Sequence, residues 1–208
     1  MNDSQAAPMS APPVTPWGPW ATLGLGLLVA AAFVVVQVAV ALIFLMVRFG
    51  SSPSADASAM AAAAETNGLL LALSTLATCV VCTGLLVVFA RMRHPAPLRE
   101  YLRLQGVAGA TLLRWIGAMV LAAACWDLLT WLLARPVVPD FMRATYTTAG
   151  SQVVFWLALV VAAPLFEELF FRGFLLTGLR RSRLGASGAV LVTALLWRPF
   201  TCNMTPTR

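Results

Sequence analysis

Residues 21–47 read ATLGLGLLVAAAFVVVQVAVALIFLMV, 27 residues without a charged side chain. About 20 apolar residues span the hydrocarbon core of a bilayer as an α-helix. A buried core helix rarely needs so long an uninterrupted run. The stretch therefore predicts a membrane span, and the rest of the chain repeats the pattern. Residues 68–90 are again uncharged, and 112–133 are interrupted only by Arg114 and Asp127. Residues 153–176 are long and apolar but contain Glu167, Glu168 and Arg172. A last run, 184–197, has 14 residues, which at 1.5 Å per residue reach about 21 Å of a core about 30 Å thick. The expected fold is all-α, a polytopic transmembrane helical bundle with four full spans and a truncated fifth.

Composition agrees. Of the 208 residues 60% are hydrophobic and 11% are charged, where soluble domains carry about 25% charge. A soluble globular protein and a disordered chain are both excluded. All 14 basic residues are arginines, and all but Arg114 and Arg172 lie outside the apolar runs. They form no basic patch interleaved with stacking aromatics, so nucleic acid is not an expected partner. The partners expected are membrane lipids and a peptide or membrane-protein substrate. Arg91, Arg93, Arg99 and Arg103 follow the second run and Arg180, Arg181 and Arg183 follow the fourth, while the intervening loops are poor in arginine. The positive-inside rule puts those two segments, and with them the N-terminus, in the cytoplasm. Residues 1–19, with five prolines and no basic residue, read as a disordered tail and not as a secretory signal. Residues 20–197 read as one membrane-embedded domain with its motif region at 150–197.

Chemistry concentrates in Pro164-Leu-Phe-Glu167-Glu168-Leu-Phe-Phe-Arg172-Gly-Phe-Leu. A charge at the bilayer centre costs about 2.5–3.5 kcal/mol on insertion scales, so such residues read as functional by default. Glu167 precedes Arg180 by 13 residues, which places it about 20 Å from the basic end, near mid-membrane. Glu168 and Arg172 are four apart and can pair on one helix face. Glu167 lies about 140° round an α-helix from Arg172 and is the carboxylate left to act as general base. An ion-pair cluster that only fixes helix packing accounts for the same residues.

Glu167-Glu168-x-x-x-Arg172 inside an apolar helix, followed by Gly-Phe-Leu and Leu-Arg-Arg, resembles the first motif of the CAAX-protease and bacteriocin-processing family. These multi-span proteins include the type II CAAX prenyl endopeptidases. The resemblance covers 150–197. It implies an intramembrane endopeptidase that hydrolyses a peptide bond with water activated by the first glutamate, here Glu167, supported by Glu168 and Arg172. It also implies a second motif, aromatic-x-x-x-His, and a third with His and Asn or Asp. It leaves the cofactor open between a divalent metal such as zinc and no metal, and it implies location in a bacterial inner membrane.

The chain departs from that pattern after Trp197. Four residues on stands Thr201 in place of His, and the one histidine of the sequence is His94, in an arginine-rich loop. Shifting the reading frame after the second base of a TGG codon at 197 turns 198–208 into a stretch that can supply Trp-x-x-x-His. Residues 198–208 are therefore expected to be out of frame, and the chain inactive as it stands. The alternative is a non-catalytic immunity or scaffold protein on the same fold. A small transporter is disfavoured, since no internal repeat appears. Asp127 could line a substrate cavity or pair with Arg135. Cys79-Val-Val-Cys82 reads as small buried residues and not as a redox pair. Gly173 offers a point of close helix approach.

Overall fold

The computed structural model describes residues 17–50, 60–61, 64–93, 106–180, 182, 185, 187–191 and 194. Most of the expected tail, His94, Trp197 and residues 198–208 lie outside them. Four helices are long and apolar enough to cross a membrane. They are α1 (Pro19–Phe49), α2 (Gly68–Arg93), α3 (Gly109–Leu132) and α5 (Gln152–Leu179). At 1.5 Å per residue the shortest, of 24 residues, is about 36 Å long and the longest, of 31, about 46 Å. Each exceeds a hydrocarbon core of about 30 Å. Among the described residues there is no strand. The all-α bundle with four full spans is therefore what the sequence led to expect. Residues 187–191 of the short fifth run are helical.

One element was not foreseen. Residues 134–150 read as a loop, but Asp140–Thr147 form a short helix, α4. Asp140 sits in its first turn, where a carboxylate suits the positive end of the helix dipole. Just beyond α4, Thr148 links two spans. Its hydroxyl oxygen accepts from the Gly68 N–H at 2.9 Å and lies 2.8 Å from the Thr66 carbonyl. The start of α2 is thereby pinned beside the start of α5. A side chain at Gly68 would strike the Thr145 carbonyl, so the pin requires glycine there.

Helix direction follows from side-chain contacts. The Trp17 indole donates to the Phe89 carbonyl at 2.9 Å, tying the residue before α1 to the end of α2. Further along, the Cys82 thiol approaches the Val29 carbonyl at 3.9 Å. A Cβ at Gly26 would meet Leu175 at 2.7 Å, and one at Gly178 would strike Thr22. Thus α1 runs antiparallel to both α2 and α5, and α2 and α5 run in the same direction. Arg91 and Arg180 consequently sit at one end of the bundle, with Trp17. The core fills the space between these three helices, with Val29, Leu86, Phe166, Phe170 and Phe174 among its members. Phe33 stacks on Phe166 with ring centroids 5.9 Å apart, and Phe166 on Phe170 at 5.6 Å. Such pairs add about 0.5–1.5 kcal/mol each beyond the area they cover.

Helix α3 stands apart, with no buried residue. In lipid this costs little, because hydrocarbon tails solvate apolar side chains as well as a neighbouring helix does. Close approach of α1 and α5 occurs at Gly26 and Gly178, and Gly173 is itself buried. Gly178→Ala is expected to lower stability by about 1–3 kcal/mol through overpacking, read as a drop in Tm. Thr22→Gly in the same chain is expected to recover part of the loss, a coupling that a double-mutant cycle measures.

Candidate active site

Helix α5 must carry a proline through the membrane. Pro164 has no N–H to donate, and its ring crowds the carbonyl four residues back. The helix adjusts by widening: Leu157–Ala162 winds as a π-helix, with the Ala163 N–H reaching back five residues to the Ala158 carbonyl. One α turn follows, Ala163–Glu167. A second π winding, Glu168–Leu175, closes with the Leu176 N–H on the Phe171 carbonyl. Local π adjustment is how membrane helices re-satisfy backbone groups that a proline disturbs, and such windings occur frequently at functional sites. Glu167 stands at the junction of the α turn and the second π winding, close to the midpoint of the 28-residue helix.

Glu168 and Arg172 form the expected pair. Arg172 Nη1 lies 3.0 Å from Glu168 Oε2 and donates to Oε1 at 3.2 Å. Their side chains are 55% and 74% exposed, so the pair lies on the outer face of α5 and not in the core. Glu167 enters no ion pair among the described residues. The winding changes its direction, however. Where bonds run from i to i+5, residues five apart lie closer to one face than α geometry sets them. Glu167, Glu168 and Arg172 accordingly line a single cavity of about 460 Å³, together with Pro164 and Phe171. Val190 and Ala194, from the run at 184–197, form the opposite wall. Val190 and Ala194 thus lie against the three charged residues, while Trp197 and Thr201, where the second motif was sought, lie outside the described residues.

Glu167 also lines a second, smaller cavity of about 130 Å³ on the other side, between α1, α2 and α5. Its walls are aromatic, with Phe33, Phe166, Phe170 and Phe171, but Gln37, Thr75, Thr78 and Cys79 reach it as well. The sequence reading passed over these neutral polar residues because hydropathy averages hide single hydroxyls and amides. The signal was present in Ser74-Thr75-x-x-Thr78-Cys79, whose helical spacing places a polar strip on one face of α2. Asp127 does not join the site. It lies on the exposed α3, lines neither cavity and pairs with no arginine among the described residues.

Comparison with known proteins bears on α5. Residues 149–205 match the family described as Type II CAAX prenyl endopeptidase Rce1-like. The matched stretch begins just before α5 and contains all of it, with Glu167, Glu168 and Arg172. It agrees with the resemblance carried by the glutamate–arginine motif. It also runs past Trp197 to residue 205, into the segment expected to be out of frame. Helices α1 to α4 lie outside it. No curated protein and no solved structure matches the chain. With four helices able to cross a membrane and a segment similar to the Rce1-like family, the chain is an integral membrane protein.

The described residues do not make a zinc site. No three His, Cys, Asp or Glu side chains come together among them, whereas catalytic zinc takes three protein ligands. One of the two neighbouring carboxylates is already paired with Arg172.

The ion pair can be tested for its structural role. Glu168→Gln leaves the Arg172 guanidinium without its counter-charge in the membrane, where unpaired charge is expensive. Lower yield of folded protein in the membrane fraction is expected. The neutral double variant Glu168→Gln/Arg172→Gln is expected to recover yield.

Proposed function

We propose that this chain is built as an intramembrane endopeptidase of the CAAX-protease and bacteriocin-processing type, with Glu167 as its general base. The observation that carries the reading is the unequal state of two adjacent carboxylates. Glu168 is neutralised by Arg172, while Glu167, free of an ion pair among the described residues, faces two cavities at mid-helix. In the reaction, the Glu167 carboxylate takes a proton from water as the water oxygen bonds to the carbonyl carbon of a peptide. The proton then passes to the amide nitrogen as the C–N bond breaks, and the carboxylate is regenerated. Glu168 and Arg172 hold the helix and keep the second negative charge away from the base. The substrate is a peptide or a membrane protein presented within the bilayer. The arginine-rich end of the bundle lies in the cytoplasm, consistent with the clustering of Arg91 and Arg180, and the membrane is a bacterial inner membrane.

One observation favours a second reading. Thr201 stands where the family pattern puts the histidine of its second motif, four residues after Trp197. The 208-residue chain is accordingly inactive in this proposal. A binding role, as an immunity or scaffold protein on the same fold, is the alternative.

The decisive experiment begins with the gene sequence across codon 197. An open shifted frame that supplies His and Asn residues is expected, and its repair is expected to yield hydrolysis of membrane-inserted peptides. In the repaired protein Glu167→Gln should lower kcat by about 10²–10⁴, the range for a lost general base, at unchanged protein level. A repaired enzyme that keeps its rate after Glu167→Gln overturns the assignment. A cellular phenotype of the unrepaired chain that survives Glu167→Gln supports binding instead.

A further inference from the structure

Three cavities follow one another: the first between α1, α2 and α4, the second between α1, α2 and α5, and the third between α5 and the run at 184–197. The first, of about 370 Å³, opens near the start of α2 and is lined by Gln37, Glu65, Asn67 and Ser74 among others. The second is the 130 Å³ cavity with Gln37, Thr75, Thr78 and Glu167. The third holds Glu167, Glu168 and Arg172. Adjoining cavities share a polar residue: Gln37 lines the first two and Glu167 the last two.

Thr78 lines the middle cavity. Its side chain is 2% exposed and its hydroxyl has no hydrogen-bond partner. Elsewhere in this chain helical threonines bond back to the carbonyl four residues before, as Thr22, Thr130 and Thr145 do at 3.0, 2.8 and 2.7 Å. Thr78 makes no such bond to Ser74. Thr177 also has an unpartnered hydroxyl, but it lines none of the three cavities. Buried polar atoms are nearly always bonded to protein or to water. The cavity is large enough, since one water needs about 10–15 Å³. It also offers the partners a water needs: the Thr78 hydroxyl, the Gln37 amide and the Glu167 carboxylate.

We propose that these cavities form a water path through the membrane domain. Water enters at the end of the bundle where α2 begins, passes Gln37 and is held at Thr78 beside Glu167. The Phe33, Phe166 and Phe170 rings line the path where it passes Thr78. Gln37 and Thr78 are positioning residues that supply and orient water. The inference deepens, and rests on, the reading of Glu167 as the base.

Cys79 lines the middle cavity and serves as a built-in reporter. The full chain, with Cys82, Cys125 and Cys202 replaced by alanine, is placed in sealed vesicles. It is treated from each side with 2-sulfonatoethyl methanethiosulfonate, a small anionic thiol reagent that does not cross lipid. Modification of Cys79 is expected from the side of residues 60–67, and Gln37→Leu should slow it several-fold. Cys79 that reacts only after denaturation, only from the other side, or unaffected by Gln37→Leu overturns the path. A second measurement has opposite signs for wet and dry. Thr78→Val is expected to lower Tm by about 2–4 °C if a bound water loses its anchor. In a dry cavity the same change removes an unpaired buried hydroxyl, and an unchanged or raised Tm overturns the proposal. Neither readout involves proteolysis. A dry cavity therefore removes the path and leaves Glu167 as base, whereas a wet cavity beside a dispensable Glu167 removes the base and leaves the path.

Discussion

Lipid offers no hydrogen bonds, so every backbone group inside the membrane must find its partner in the protein. Pro164 breaks that rule in the centre of α5, and the site follows from the repair. The helix widens before the proline, tightens for one turn and widens again. Each change of winding turns the side chains that follow it. The result is that three charged residues from one helix face a common cavity while the aromatic side of the same helix packs into the core. A straight α-helix with the same sequence would divide those residues differently.

The rest of the bundle holds that helix in place. Because apolar burial does little to drive helices together in lipid, the contacts that matter are close fits and hydrogen bonds. Gly178 lets α1 press against the end of α5, the phenylalanine stack fills the middle, and the Thr148 pin secures the beginning. Helix α5 is thus held at both ends and at mid-height.

Much of this was legible in the sequence. Apolar runs of span length gave the four crossing helices, because hydropathy is a sum over many residues and tolerates a few charges. The Glu168–Arg172 pair was readable because four-residue spacing survives small changes of winding. The angular separation of Glu167 from Arg172 was not, because it assumed α geometry on both sides of a proline. The polar strip on α2 was missed for a different reason. A hydroxyl in an apolar run counts for little until the fold shows that it faces a cavity and lacks a partner. Helix α4 escaped notice because eight residues carry too little periodicity to stand out from a loop.

Helices α2 and α5 lie side by side and run the same way, pinned at one end by Thr148. Two parallel neighbours cannot be joined by a tight turn, so the chain must return across the bilayer between them. Helix α3 is that return stroke. No residue of α3 is buried, so in lipid its side chains need length and apolarity more than a fit to a neighbour. Helix α3 is thus a spacer that carries the chain back, whereas α5 is held by particular contacts.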